Sequence, residues 1–403
     1  MSAPPRTVEA RLFYLLVACG GLLAAVGALA ALQLEERGHA LTGMDNQIVW
    51  GLPHVFAIAM IVAASGVLNV ATIGSVFAQP AYKARAPLSG LLSLTLLAGG
   101  LAVLMLDLGR PERVVVAATH FNFKSVFAWN VFLYSGLFTV VAAYLWTLME
   151  RRMNAWSRAV GVLALFWRFA LTTGTGSIFG FLVARQAYQS AVLAPMFIIE
   201  SLAWGLAVFL IVQAVMYAWN GERLPDAIQR RMNRLLAIFV AAALYFVFVY
   251  HGTNLYYARE HGFERFILFE GGIFPVLFWG GSMLLGGVAP MILLLHPRLG
   301  ASAGTMAASL LVLAGAGAQL YVFIIGGQAY PLEIFPGFEA QSSFGDGAVA
   351  SYTPSAYEWA LGLGGVGIAF AATTVGVRVL RFLPQDDLAA LPQGAAPADA
   401  RKT

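Results

Sequence analysis

The sequence predicts an all-α polytopic membrane protein with about ten spanning helices, and three observations carry that prediction. Of the 403 residues, 60% are hydrophobic and 11% are charged. The mean hydropathy is +0.76, and a chain of this size with so few charges cannot cover itself with a water-facing surface. Apolar runs of roughly 18 residues or more, the length a helix needs to cross the hydrocarbon layer, recur along the chain. Those runs do not alternate apolar and polar residues over short segments, which excludes a β-barrel.

The runs lie near 12–34, 49–79, 87–106, 125–149, 156–184, 193–219, 235–258, 266–295, 304–329 and 357–377. The first follows Arg6 and Arg11 and is about 23 residues long. That exceeds a signal-peptide core, so the span is expected to be retained, although Ala28 and Ala30 resemble a cleavage site. It holds the single cysteine, Cys19, expected to be a small buried apolar residue. One cysteine excludes an internal disulfide, an iron–sulfur cluster built on this chain alone and attached c-type haem. The second span carries His54 and Asn69. The third ends in Leu106-Asp107-Leu108-Gly109-Arg110-Pro111-Glu112-Arg113, where Gly109 stops the helix and Pro111 keeps it from resuming. Charge at the mouth of a membrane helix is costly, and either a stop in the headgroups or a functional site accounts for it.

The fourth span carries Asn130 and Tyr134. The fifth carries Arg168 and the run Thr172-Thr173-Gly174-Thr175-Gly176-Ser177, which reads as close helix packing by small residues rather than an unwound ion site. Glu200 and Gln213 lie on the sixth, and His251 and Asn254 on the seventh. Glu270 opens the eighth. Residues 1–383 are expected to form one membrane domain, with bundles at about 49–185 and 193–329 and flanking helices at about 12–34 and 357–381. The tail 384–403, rich in Ala, Pro and Asp, is expected to be disordered and cytoplasmic.

Sixteen of the 24 Lys and Arg residues fall on the side of the termini and seven on the other. The positive-inside rule therefore places both termini in the cytoplasm. The net charge of +4 is this bias, and it needs no nucleic acid to explain it. The segment 330–358 on the outer side has no Lys or Arg. It mixes acids (Glu333, Glu339, Asp346, Glu358) with aromatics such as Phe335 and Phe338, the character of a surface that docks a partner. A lid over the helix ends would share that composition.

From the helical rise, His54, Glu200, His251 and Asn254 lie roughly 8–12 Å below the outer surface, level with Asp107 and Arg110. Such a layer reads as a pocket with apolar walls and one polar end. A b-type haem between His54 and His251, a transported solute or a quinone would each suit it, and composition does not choose.

The stretch from Asp107 to Arg113, followed by Phe127-Ala128-Trp129-Asn130, resembles the signature of the polysulfide-reductase-type membrane subunits, the NrfD/PsrC family. Trp50 to His54, Thr172 to Gly180, His251 to Tyr256, Gly326 to Pro331 and Ser351 to Ser355 also match. Length and outer loop are most similar to the ten-span branch of DsrP, from the sulfite-reductase-associated DsrMKJOP complex, and the hydrogenase anchor HybB. The resemblance implies two four-helix bundles, quinol oxidation or quinone reduction near the outer face, and no haem, metal or iron–sulfur cluster on this chain. The quinone would be menaquinone or ubiquinone. It also implies a periplasmic ferredoxin-like iron–sulfur partner, with c-type haem and other redox subunits, in an anaerobic-type respiratory or sulfur-metabolism complex of a bacterial inner membrane. A hydrogenase or molybdoenzyme anchor is the nearer alternative, and a secondary transporter the more distant one. Quinone contacts would fall on His54, Asp107, Arg110, Asn130 and Tyr134, with His54 taking a proton, Asp107 relaying it and Arg110 fixing Asp107. Glu200, His251, Asn254 and Glu270 are expected to form a proton path. Glu333, Phe335, Phe338, Glu339 and Asp346 are expected to dock the partner.

Overall fold

The computed structural model describes residues 6–219, 221–222, 224–332 and 347–380, and no strand occurs among them. Among these residues, ten helices are long and apolar enough to span: α1 (Arg6–Arg37), α2 (Leu52–Ser75), α3 (Ala86–Leu106), α4 (Val126–Met149), α5 (Ser157–Gly180), α6 (Leu193–Trp219), α7 (Asp226–Tyr256), α8 (Ile273–Leu295), α9 (Ser302–Ala329) and α10 (Ala356–Leu380). Together with their hydropathy these make the chain a multi-pass membrane protein.

Helices α2–α5 pack around one another as one four-helix group and α6–α9 as a second. The groups meet where α2 crosses α6, and backbone touches backbone there. A Cβ built on Gly66 would stand 1.6 Å from the Ser201 carbonyl oxygen, and one on Gly205 would stand 2.1 Å from the Val67 nitrogen. Lipid gives apolar helices no hydrophobic reason to associate, so close approach through small residues supplies the attraction. Helix α10 runs antiparallel to α1, with Gly27 against Gly364 and Gly20 against Ala371. The Arg378 guanidinium lies 5.0 Å above the Phe13 ring. The start of α1 and the end of α10 therefore share one end of the molecule, called here the terminal end; the other is the distal end. Only a narrow seam of α1 is covered. Cys19 consequently faces outward and is not the buried residue expected.

Two boundaries differ from the hydropathy reading. Helix α7 begins at Asp226, about nine residues before the apolar run. Its first turns are amphipathic: Ile228, Met232 and Leu236 are buried, whereas Arg230, Arg231 and Arg234 face out, a pattern averaging over a window hides. Helix α8 begins at Ile273, because Phe266–Glu270 folds as a separate wide turn. That turn is cut off at Gly272, whose φ of 63° suits glycine. The run 172–177 stays inside the continuous α5. Wide π-helical winding falls in α8 at Val276–Val288 and in α9 at Val322–Gly326.

The distal end is closed by side chains that satisfy loop backbone. Gln328 donates to the Trp50 carbonyl and accepts from the Val49 and Trp50 amides. Arg185 donates to the carbonyls of Gln328 and Gln47. Glu358, expected in the acidic docking surface, is fully buried. It accepts from the amides of Gly43 and Ser355 and from the Tyr352 hydroxyl, which in turn accepts from the Leu52 amide. Burial first, then the hydrogen bond and charge of Glu358, push the Tyr352 phenol above its ordinary pKa. Glu358 is thus a clasp between the last helix and the start of α2, not a docking charge. Glu333, Phe335, Phe338, Glu339 and Asp346 lie outside the described residues.

Candidate functional site

The start of α2 places His54. Gly51 must lack a side chain there, since a Cβ would lie 2.4 Å from the Glu358 carboxyl, and Pro53 favours the first helical turn. One turn in, His54 Nδ1 stands 2.9 Å from Asp107 Oδ2, with the imidazole 16% exposed and the carboxyl fully buried. The contact is an ion-pair distance without hydrogen-bond alignment: neither His54 Nδ1 nor either Asp107 oxygen has a hydrogen-bond partner among the described residues. Buried carboxyl oxygens are ordinarily satisfied, so an acid with Oδ2 facing only His54 and Oδ1 without a hydrogen-bond partner among the described residues marks a place built for something else to bind.

Asp107 is held from behind. His39 Nε2 donates to its main-chain carbonyl at 3.0 Å, and the His39 ring fills the space over Gly109, whose φ is +70°. The aromatic wall consists of Trp50, stacked 6.0 Å from the His54 ring and in contact with Phe127 and Phe179. Phe127 is itself 48% exposed, so the wall reaches the lipid-facing side of the first group.

The other expected contacts separate. Arg110 is exposed and forms no ion pair among the described residues. It therefore does not fix Asp107: the turn at Gly109 carries the guanidinium away, and His54 faces the acid instead. Asn130 is buried one turn below Phe127. It donates to the carbonyls of Val126 and Gly174 and leaves its side-chain oxygen without a hydrogen-bond partner among the described residues. Tyr134 lies deeper, in a core with Ile61 and Leu171. His54, Asp107 and Asn130 are thus the expected residues that offer buried or half-buried polar atoms toward this end. Trp50, Phe127 and His39 were not expected at the site. Trp50 and Phe127 stand inside the family-like stretches, and their spacing to His54 and Asn130 was the available signal; His39 lies in a loop that carries none.

The second group has its own pair. His251 Nδ1 lies 2.7 Å from Glu264 Oε2, and Asn254 donates to Glu264 Oε1 at 2.8 Å. Glu264 is fully buried on the short helix His261–Arg265, and sequence reasoning missed it because that stretch falls between apolar runs and reads as a loop. Glu270, expected in a proton path with Glu200, His251 and Asn254, is instead exposed and paired with Arg265 at 2.6 Å. It belongs to the turn that precedes α8 and leaves the expected proton path. Glu200 is buried on α6 and accepts from Gln319. His54 and His251 face separate carboxyls in separate helix groups.

Residues 40–331 match the family described as polysulphide reductase, NrfD. The chain is similar to an Hdr-like menaquinol oxidoreductase integral membrane subunit from Archaeoglobus fulgidus, 29% identical over 90% of this chain and 93% of that one. It is also similar to a selenate reductase subunit from Mesobacillus selenatarsenatis, 21% identical over 89% and 92%. A third relative is protein NrfD from Escherichia coli, 25% identical over 68% of this chain and 91% of that one.

Proposed function

The chain belongs to the NrfD polysulphide reductase family, and from that premise we propose that it is the quinone-reactive membrane subunit of a multi-subunit redox complex. The single observation that carries the site is Asp107, buried, with Oδ2 facing a half-buried His54 and neither oxygen in a hydrogen bond among the described residues. A quinol ring fits that chemistry: its hydroxyls need acceptors, and Trp50 and Phe127 offer apolar faces to the ring and tail. The name of the Archaeoglobus relative supports menaquinol as the substrate.

His54 presents Nδ1 to Asp107, which leaves Nε2 as the acceptor for a proton from a quinol hydroxyl. The Asp107 carboxylate stabilises the imidazolium that forms and relays the proton toward the distal surface. Asn130, with its open oxygen, orients the ring from the α4 side. A bound quinol supplies two electrons and two protons. This chain handles the protons, and the electrons leave for an iron–sulfur partner on the distal side. The same residues return protons when electrons run the other way. We place the distal end in the periplasm and both termini in the cytoplasm, from the charge bias. Ten spanning helices support the ten-span branch within the family. The segment containing Glu333, Phe335, Phe338, Glu339 and Asp346 is the docking site we assign to the partner.

The test is Asp107→Asn in the purified complex. Quinol turnover should fall by roughly 10²-fold or more, as loss of a positioned acid–base group does, with all subunits still co-purifying. An assembled variant with normal quinol kinetics would move the site elsewhere.

A further inference from the structure

Glu200 has no role in the quinone site, yet it is 1% exposed within a spanning helix. Seven residues into α6, it lies roughly 10 Å from the distal start of that helix. It accepts a hydrogen bond from a neutral group, the Gln319 amide, and none of the ion pairs among the described residues includes it. An ionisable group in a spanning segment without an opposite charge marks a proton relay or an ion path.

Its surroundings decide between these. Met196, Glu200, Ala203 and Trp204 share one face of α6 at helical spacing. Met196 lines a cavity of about 30 Å³ together with His251 and Gln319. Ala203 and Trp204 line a second, of about 20 Å³, together with Ser282 and again Gln319. Glu200 itself lines neither cavity, but its hydrogen-bond partner Gln319 lines both, and its neighbours one turn away on the same face of α6 line one each. Each cavity has room for a water molecule and little more, and no group of metal-binding side chains occurs among the described residues. That is space for a proton carrier and not for a hydrated cation. The wide windings of α8 and α9 contribute Ser282 to one cavity and Val322 and Phe323 to the other, as such windings often do at functional sites.

We propose that the second helix group holds a proton-exchange site at Glu200, loaded from the distal end through the His251–Glu264 pair. A proton arrives on His251 Nε2, with Glu264 holding Nδ1–H and balancing the imidazolium charge. It passes through one water in the larger cavity to the Glu200 carboxylate, and His251 returns to its neutral form. The groups facing His251 are Glu264 and the rings of Tyr250 and Phe278; Asn254 holds the other oxygen of Glu264, and Glu260 acts electrostatically on Tyr250. On the terminal side the smaller cavity ends at Val312. One turn further lies Ser309, fully buried, its hydroxyl without a hydrogen-bond partner among the described residues. The site is an equilibrium property of this chain, and its test does not depend on quinol turnover.

Infrared difference spectroscopy on the full chain in lipid nanodiscs tests it. The wild type should show a protonated carboxyl band that disappears in Glu200→Gln and shifts when the buffer is changed to D₂O. Gln319→Leu removes the hydrogen bond to the same carboxyl and should move that band, which identifies it even if Glu200→Gln fails to fold. His251→Leu should slow deuteration of the band by at least about tenfold, whereas Ser309→Val should leave its rate unchanged. Absence of a band sensitive to Glu200 or Gln319 would overturn the site. Deuteration slowed by Ser309→Val and not by His251→Leu would overturn loading from the distal end.

Discussion

Each helix group carries a histidine facing a buried carboxyl, in opposite conditions. In the first, His54 faces Asp107 at 2.9 Å and neither Asp107 oxygen has a hydrogen-bond partner among the described residues. In the second, His251 faces Glu264 at 2.7 Å and both Glu264 oxygens are engaged, one by His251 and one by Asn254. Both carboxyls are fully buried, and the imidazoles are 16% and 14% exposed. Burial and the chemistry of the groups therefore do not distinguish them; hydrogen-bond satisfaction does. A buried acid with open oxygens is an incomplete structure that a ligand completes, whereas a saturated one is complete without it.

The largest effect that tests this difference comes from removing each imidazole in turn. His54→Ala should lower quinol turnover by roughly 10²-fold or more, because it removes the proton acceptor, and should change stability little, since it breaks no aligned hydrogen bond. His251→Ala should do the reverse. Loss of one partner from buried Glu264 should destabilise the chain by about 1–3 kcal/mol, with a far smaller loss of turnover. Thermal unfolding and quinol kinetics on the same preparations give the comparison, and equal turnover losses in the two variants would erase it.

Next in size is a change in composition of the complex. Replacing Phe335-Pro336-Gly337-Phe338 with Ser and Gly should release the iron–sulfur partner and leave the ten-helix core folded. The flanks of that segment are pinned independently: Gln47 donates to the carbonyls of Ala329 and Ala348, and the Ala350 amide bonds to Ala329. A stoichiometric partner retained at both low and high salt would place docking elsewhere on the distal end.

A smaller effect concerns how the first pair is held. Tyr352→Phe removes the hydroxyl that joins Glu358 to the Leu52 amide, two residues before His54. Stability should fall by about 1–3 kcal/mol. Turnover should fall less than in His54→Ala, because the helix start loosens while the acceptor remains. A melting temperature equal to wild type would show the clasp to be inert.

These residues show what a sequence discloses about such a molecule. Ten spans were legible because apolar length alone dictates a membrane helix, and His54, Asp107, Glu200 and His251 were legible because polar groups in those helices are rare. What depends on the third dimension was not. Arg110 lies three residues from Asp107 and was expected to fix it, but the left-handed turn at Gly109 sends it outward. Glu264 lies in a short amphipathic stretch that hydropathy treats as loop, yet it is the acid His251 faces. Glu270 ends an apolar stretch that α8 does not include. Glu358 was expected among exposed acids, and its carboxylate is held in the interior by three hydrogen bonds, from the Gly43 and Ser355 amides and the Tyr352 hydroxyl. In each case a close pairing or a turn, not composition, decides the side chain's role.

The smallest effect is one that should leave turnover untouched and only assign the two ends to compartments. Lys83, in the short turn before α3, is exposed at the terminal end, and Lys124, before α4, is exposed at the distal end. Neither belongs to the quinone site or the distal clasp. With the outward-facing Cys19 first replaced, Lys83→Cys and Lys124→Cys each give the chain one thiol. The bias of sixteen to seven basic residues puts position 83 in the cytoplasm and position 124 outside. A membrane-impermeant maleimide added to intact cells should therefore label position 124 and spare 83 until the membrane is opened. The reverse pattern would place the His54–Asp107 pair on the cytoplasmic side, with protons from quinol released inward and the iron–sulfur partner sought in the cytosol. The contrast between the two carboxyls would survive that result, but the compartment to which it is coupled would change.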